Sequence, residues 1–470
     1  MSRRTLLHRA TVQEGLGVAS RPHHSVLLDG ERIVAVLPEA QAPLHDPDVD
    51  VLDLDGRTVM PGMTLGHTHI AYLNVLDGRE TLFKHSIPEV TLGAAANAAA
   101  MLRLGYTAFV GAGSVAGIDM ALRRAIDAGR LPGPRITPCS RDLMVSGPPQ
   151  RRNPAVKQRI PTDLMRLADT PEELVEYVDT EVAQGAEIIK VFSTGDDTFP
   201  NGRSHELLFT AEELVIAARA AHERGVRIRA HSRGLGGIRN AIAAGVDVID
   251  HATYADDAAL EAIAERGIFV VPSLHQPHRL LTTGTAHGKT PEYLETLEFQ
   301  AEVENTLRIL PLMVEMGIPI VAGDDFGFAW TPHGRYAEEL ETYVSMAGIP
   351  APTVLTWATA NGARLAGRGG EAGTVQPGRL ADLVVTDGDP ARDITVLGRP
   401  EAIEMVLLGG RVVAGDAAAY RDRRPAGRGR LMRPATRARI GLTGSAGIGH
   451  NRWRRRFVRS GRPCEPNRRG

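Results

Sequence analysis

The chain has 470 residues, too many for one small core and enough for a large α/β barrel with a satellite domain. Hydrophobic residues make up 43% but aromatics only 4%, and the formal net charge is −2, as in a globular chain built on Ala, Val, Leu and Ile. No apolar run reaches the roughly 18 residues of a membrane span, and the N-terminus MSRRTLLHRATVQEG lacks the apolar core of a signal peptide. Cys139 and Cys464 suggest neither a disulfide framework nor a thiolate metal site, so a cytoplasmic protein with no membrane partner is expected.

The first elements are short strand-like runs, HSVLLDGERIVAVLP (24–38) and VDVLDLDGRTVMPG (49–62). The stretch MPGMTLGHTHIAY (60–72) then sets His67 and His69 one residue apart behind an apolar run. Side chains at i and i+2 of a strand share a face, so both imidazoles converge while Thr68 points away. Further apolar runs end near Val110, Pro138, Phe192, His231, His251, Pro272 and Asp325, separated by Ala/Leu/Glu-rich helical stretches. In TAEELVIAARAAHERG (210–225), Leu214, Ala217, Ala218 and Ala221 form a stripe of helical period. Thr210 with Glu213 has capping-box spacing, and Gly225 closes the helix. Eight such strand–helix units predict an α/β fold, a (β/α)8 TIM barrel over 61–365. Residues 1–60 and 366–416 are expected to form a small β-sandwich domain.

The tail from Ala417 onward holds sixteen Arg against Asp422 and Glu465, a balance of +14 that leaves −16 on the preceding 416 residues. Gly, Pro and Arg dominate it, so 417–470 reads as a basic, disordered extension. Contact with nucleic acid or a membrane surface, and an out-of-frame reading of GC-rich coding, are the other accounts of that composition.

Catalytic groups of barrels sit at the C-terminal ends of strands. Here those ends carry His67 and His69, Lys190 in AEIIKVFSTG, His231 in VRIRAHSRG, His251 in VDVIDHATY and Asp325 in IPIVAGDDFG. Each alone reads as an ordinary hydrogen-bonded or solvent-facing residue. Five ligand-bearing strand ends in one chain point instead to a divalent metal held by imidazole and carboxylate, with an open position for water. Such an ion lowers the pKa of bound water from about 15.7 towards 7, and a carboxylate can then carry its proton. Lys190 fits only if CO2 has converted its amine to a carbamate, an anion able to bridge two ions.

With these motifs the chain resembles the metal-dependent amidohydrolase superfamily, and within it the imidazolonepropionase-like and prolidase-like hydrolases, from about residue 25 to 415. DLDGRTVMPGMTLGHTHI resembles the family's entry into strand one, and EIIKVFSTG its lysine strand. FTAEELVIAARAAHERGVRIRAHSRGLGGIRNAIAAGVDVIDHATYADD resembles the segment bearing the third and fourth histidines. VAGDDFG resembles the Gly-x-Asp-x-Gly after strand eight, which selects Asp325 over Asp324. TWATANGARLAG and AGTVQPGRLADLVVTDGDP resemble the closing helix and the return to the small domain. The resemblance implies metal ligation by His67, His69, His231, His251 and Asp325, a carbamylated Lys190 bridging two Zn (or Co or Mn), Asp325 as proton shuttle, and self-association into a homo-oligomer.

Departures bear on substrate. Family peptidases often carry a histidine after strand three; the loop here, DLMVSGPPQRRN, has Pro148, Pro149 and Gln150 instead. Arg233 stands where a second histidine is common. Gly66 stands where a larger residue usually precedes the first ligand, a change not expected to harm ligation. These favour a small uncharged amide, urea or carbamate over a dipeptide or N-acyl amino acid. Tyr254 is a candidate oxyanion donor or a packing residue. His275 and His333 are candidate substrate contacts, with surface-loop roles as the alternative. Arg233 is a candidate partner of a substrate carboxylate or of an acidic neighbour such as Asp250. The loops 73–90, 139–165 and 273–300 are expected to decide the substrate. Two other readings remain open: a mononuclear site of three histidines and Asp325 with unmodified Lys190, and a metal-free scaffold whose basic tail binds a partner or nucleic acid.

Overall fold

The computed structural model describes residues 4–153, 155, 157, 162–196 and 203–421; the expected basic tail lies outside these from residue 422 onward. Apolar runs cut by Gly, Pro or Asp give β1 (Arg4–Val12), β2 (Arg21–Asp29), β3 (Arg32–Pro38), β4 (Val49–Asp53) and β5 (Thr58–Pro61). The middle of the chain alternates helices with β6 (Met63–Thr68), β7 (Tyr106–Gly111), β8 (Arg135–Thr137), β9 (Cys139–Met144), β10 (Met165–Leu167), β11 (Ile188–Phe192), β12 (Arg227–Ser232), β13 (Val248–His251) and β14 (Phe269–Pro272). The chain returns through β15 (Leu383–Thr386), β16 (Ile403–Leu408) and β17 (Arg411–Gly415). Among the described residues no helix is long and apolar enough to cross a membrane.

The helix Ala211–Glu223 shows how local sequence sets these elements. Thr210 and Glu213 exchange the reciprocal bonds of a capping box, Leu214, Ala217, Ala218 and Ala221 are buried, and Gly225 takes φ +72° just past the end. A left-handed residue there terminates the helix at little steric cost.

The middle strands form two parallel ladders, β6-β7-β8 and β10-β9-β11-β12-β13-β14. An irregular segment, Pro319–Phe326, lies between their free edges. Val270 N–H donates to Pro319 O (3.2 Å) and Val321 N–H to Val270 O (2.9 Å) on the β14 side. Gly66 N–H donates to Ala322 O (2.7 Å) and His69 N–H to Phe326 O (3.0 Å) on the β6 side. Two glycines permit that approach. A Cβ at Gly66 would lie 2.4 Å from Val321 Cγ1, and one at Gly323, whose φ is +154°, would lie 2.2 Å from the His67 backbone nitrogen. Gly66 is therefore a packing requirement. Val110, Cys139, Ile188, Val248, Val271 and Val321 come from six different strands or segments and pack in one buried cluster with Leu365 and Ala366. Such a layer fills a barrel interior with side chains.

The third strand departs from expectation. It is interrupted at Pro138, which has no N–H to give to a ladder, and resumes as β9 to Met144. The terminal strands differ from expectation too. In place of a two-sheet sandwich, hydrogen bonds trace one mixed sheet, β17-β16-β15-β5-β1-β2-β3, with β4 also on β1. The cause is β1, which shifts register between Leu7 and Ala10, with Arg9 at φ +52°. Its first half pairs with β4 and its last residues with β5, so one bent strand continues through both halves. Leu7, Val26, Leu52, Val59, Leu383 and Met405 form its core.

Candidate metal and active site

His67 lies near the end of β6 and His69 one residue past it. Their rings are 5.5 Å apart at 73°, and both Nε2 atoms face Asp325 Oδ1, at 2.7 and 3.3 Å. Thr68 points elsewhere, its hydroxyl donating to Phe326 O. Asp325 holds φ +47°, a left-handed conformation that costs on the order of 1–3 kcal/mol in a non-glycine residue and turns its carboxylate to this point. One nitrogen from each histidine and one Asp325 oxygen all lie within 4.8 Å of one another, and all three residues are buried. Despite the 2.7 Å approach, His67 Nε2 makes no hydrogen bond of acceptable geometry. Crowded, buried donor atoms that do not satisfy one another fit a cation between them.

His231 and His251 lie on the adjacent strands β12 and β13, with His251 turned by φ +75°. His251 Nε2 is 3.0 Å from His231 Nδ1 and 4.0 Å from Asp325 Oδ2. Asp325 thus faces His67 and His69 with one oxygen and His251 with the other. Lys190 stands apart. Its Nζ donates to Asp250 Oδ2 at 2.6 Å and lies 5.2 Å from the centre of the Phe192 ring, which stacks on His231.

Burial sets the protonation states. It lowers the pKa of His67 and His251, and that of His231 to about 3. These three imidazoles are therefore neutral at pH 7, as ligation requires. Burial alone would raise Asp325, but His67, His69 and His251 hold it well below the usual carboxylate range. Asp250 is likewise held low against its burial by Arg229, Lys190 and His67.

Asp250 and Arg229 are the main residues that sequence reasoning missed. Arg229 is fully buried and donates to Asp250 through Nε (3.0 Å) and Nη2 (2.5 Å), and through Nη1 to Gly66 O and Gly111 O. His67 Nδ1 lies 3.2 Å from Asp250 Oδ1 and 3.0 Å from Arg229 Nη2. With its proton on Nδ1 towards Asp250, His67 keeps the Nε2 lone pair free, so Asp250 is placed to orient the His67 ring. Two further residues line the site. Tyr72 stacks on His69 at 4.5 Å, and Asp142 is buried, with burial raising its pKa to about 6.

Arg233 does not meet Asp250, as its sequence neighbourhood suggested. Arg229, His231 and Arg233 alternate onto one face of the β12 strand and its continuation. Arg229 takes Asp250, whereas Arg233 donates to Asp196 (3.1 Å) and Glu302 (2.6 Å) and reaches within 3.8 Å of Asp325 Oδ2. The Tyr254 hydroxyl lies on Glu298 Oε2 at 3.4 Å and its ring is 4.3 Å from His205. His275 is buried with Nδ1 on the Thr342 hydroxyl (2.8 Å), a contact between helices. His333 Nε2 donates towards His69 O (3.3 Å) and Tyr72 O (3.1 Å), and its Nδ1 accepts from the Tyr336 hydroxyl, so it braces the loop that follows His69.

A model of the amidohydrolase family matches residues 58–413. Ochratoxinase of Aspergillus niger is 28% identical over 250 residues, 53% of this chain and 51% of that protein. The chain thus aligns with about half the length of that relative. Imidazolonepropionase of Rhizobium meliloti (strain 1021) is 24% identical over 422 residues, 86% of this chain and 95% of that protein. A solved prolidase complexed with N-methylphosphonate-L-proline superposes with a TM-score of 0.77 at 26% identity, covering 88% of this chain and all of that one. The likeness identifies the architecture as a TIM-barrel-type α/β fold.

Proposed function

Because the chain belongs to the amidohydrolase family and its strand ends gather neutral imidazoles around one ionised carboxylate, we propose that it is a metal-dependent hydrolase of a C–N bond in a small amide, urea or carbamate. The observation that carries this reading is the buried group His67, His69 and Asp325, whose ligand atoms all lie within 4.8 Å of one another while His67 Nε2 and His69 Nδ1 have no hydrogen-bond partner among the described residues. The names of the relatives, which include ochratoxinase, imidazolonepropionase and prolidase, support hydrolytic chemistry of this kind. In the same reading the two parallel ladders and Pro319–Phe326 make one (β/α)8 barrel, with the ligands at its rim.

His67, His69, His231, His251 and Asp325 would hold the metal, zinc, cobalt or manganese being compatible with this donor set. Bound there, a divalent ion supplies Lewis acidity for the carbonyl and for a water. Asp250 fixes the His67 ring, and Tyr72 packs against that of His69. Asp325, ionised at neutral pH, accepts the water's proton and returns it to the departing nitrogen. Lys190, once carbamylated, would add oxygen ligands for a second ion. The Lys190–Asp250 pair favours a second reading, one ion held by histidines and Asp325 with Lys190 unmodified.

Metal analysis of protein purified without chelators, with and without bicarbonate, separates the two: two ions per chain support the bridged site, one supports the simpler site. Less than about 0.2 metal per chain would sink both. A hydrolysis screen across anilides, aryl ureas, carbamates, dipeptides and N-acyl amino acids tests the reaction; no turnover of any class by the metal-loaded protein would refute it.

A further inference from the structure

Asp324 and Asp325 are neighbours in the chain, but their carboxyl groups meet different partners. Asp325 Oδ1 faces His67 and His69, whereas the buried Asp324 side chain turns to the end of β14. Asp324 Oδ1 accepts from the Ser273 hydroxyl at 2.6 Å. Its Oδ2 accepts at 2.8 Å from the backbone N–H of Gln276, on the helix His275–Thr283. One residue earlier, the Gly323 N–H donates at 2.7 Å to Oε1 of Glu339, which is fully buried on the helix Ala337–Ser345. The Tyr343 hydroxyl lies 2.9 Å from that oxygen and 3.0 Å from Pro272 O, so this tie also leads to the end of β14. The Thr331 hydroxyl donates to Asp325 O at 3.0 Å. Residues 323, 324 and 325 are thus each tied to a different part of the fold.

We propose that Asp324 and Glu339 are positioning residues for Asp325: acting through residues 323 and 324, they hold the turn that aims its carboxylate at His67 and His69. This rests on the hydrolase reading above, in which Asp325 is a ligand and carries the proton. A left-handed residue other than glycine persists only where its surroundings over-determine it, and at Asp325, with φ +47°, these ties supply the constraint. Only the tie from Thr331 falls on Asp325 itself, and it falls on the backbone. The Asp325 carboxylate therefore stays available to the histidines and to substrate. A carboxylate at 324 accepts from Ser273 and from Gln276 at once, whereas an amide offers a single acceptor, which accounts for a second acid beside the first. Releasing a tie lets the turn relax, which relieves backbone strain but moves the carboxylate off its aim. Stability and aim then respond differently to the same change.

The test uses the full chain and Co(II) as probe, because its visible spectrum follows the geometry of its ligands. Ser273→Ala and, independently, Glu339→Met should each weaken Co(II) binding by about tenfold, the scale for a residue that orients a ligand. Each should also change the Co(II) spectrum and lower kcat with KM unchanged. Glu339→Gln, which keeps an oxygen for the Gly323 N–H, should restore binding and spectrum. Variants that lose stability but keep the parent's affinity and spectrum overturn the proposal. A mutant cycle in metal-free protein reads the same turn without metal or substrate. Asp325→Gly removes the backbone strain, so Ser273→Ala should lower the urea midpoint more in that background than in the parent, where relaxation of the turn offsets part of the loss. Equal losses in the two backgrounds overturn the proposal. If nothing is turned over and no Co(II) binds, the hydrolase reading fails while the cycle still decides positioning.

Discussion

Asp250→Asn removes one charge from the most connected buried group in the protein. Arg229 reaches the carboxylate at 2.5 and 3.0 Å, Lys190 at 2.6 Å and His67 Nδ1 at 3.2 Å, and neither Asp250 nor Arg229 has solvent exposure. Asparagine keeps the shape and one oxygen but leaves two cations. Arg229 retains the Gly66 and Gly111 carbonyls. Lys190 Nζ loses its carboxylate partner. Removing one partner of a buried pair costs about 3–5 kcal/mol. We expect urea unfolding of metal-free, bicarbonate-free protein to show a loss of about 3–5 kcal/mol at pH 7. A loss below about 1 kcal/mol would refute the reasoning. Metal affinity should also fall, by about 10–100-fold, because His67 loses the carboxylate that orients it.

Asp325→Ala should lower turnover by about 10²–10⁴ with the fold retained by circular dichroism, and unchanged turnover would end its role in proton transfer. Gly323→Ala drives a Cβ to within 2.2 Å of the His67 backbone nitrogen at a φ unsuited to alanine. It should destabilise the chain by about 3 kcal/mol or more in the same unfolding assay, and a neutral result would contradict the close seam. His333 is held neutral by burial, with its pKa lowered from 6.5 to about 4. Above pH 6.5 it contributes nothing; as pH falls below that value the unfolded chain takes the proton first and the parent loses stability. His333→Gln should therefore gain on the parent by about 3 kcal/mol between pH 7 and 4, and a flat difference would show that the ring is not held neutral.

Strand ends were legible because polar residues or proline interrupt the apolar runs there: β11, β13 and β14 end at Phe192, His251 and Pro272 as read. The His67–Thr68–His69 alternation also carried through to the side chains. What alternation could not anticipate were the left-handed residues. His251 at φ +75° and Asp325 at φ +47° rotate their side chains out of strand periodicity, so Asp250 and His251 both serve one centre although they are neighbours. Arg229 alternates with its neighbours along β12, and strand period alone does not give its surroundings, the Gly66 and Gly111 carbonyls and Asp250. His275 and His333 were read from proximity in sequence, which says nothing of which neighbour a ring meets first. The third strand was cut short at Pro138, which hid Asp142, because a proline gap in one ladder cannot be told from a strand end by pattern alone.

The seam at Gly66 and Gly323 also orders events in time. It brings His67 against Asp325 across most of the folded chain, so ribosomal synthesis delivers His67 long before Asp325. A chain released up to β14 would hold His67, His69, His231 and His251 but no Asp325 carboxylate, with an unpaired edge on β6. Contacts of such sequence separation form late, after the intervening units have packed. Assembly of the His67–His69–Asp325 group is therefore an event of the finished fold rather than a template for building it.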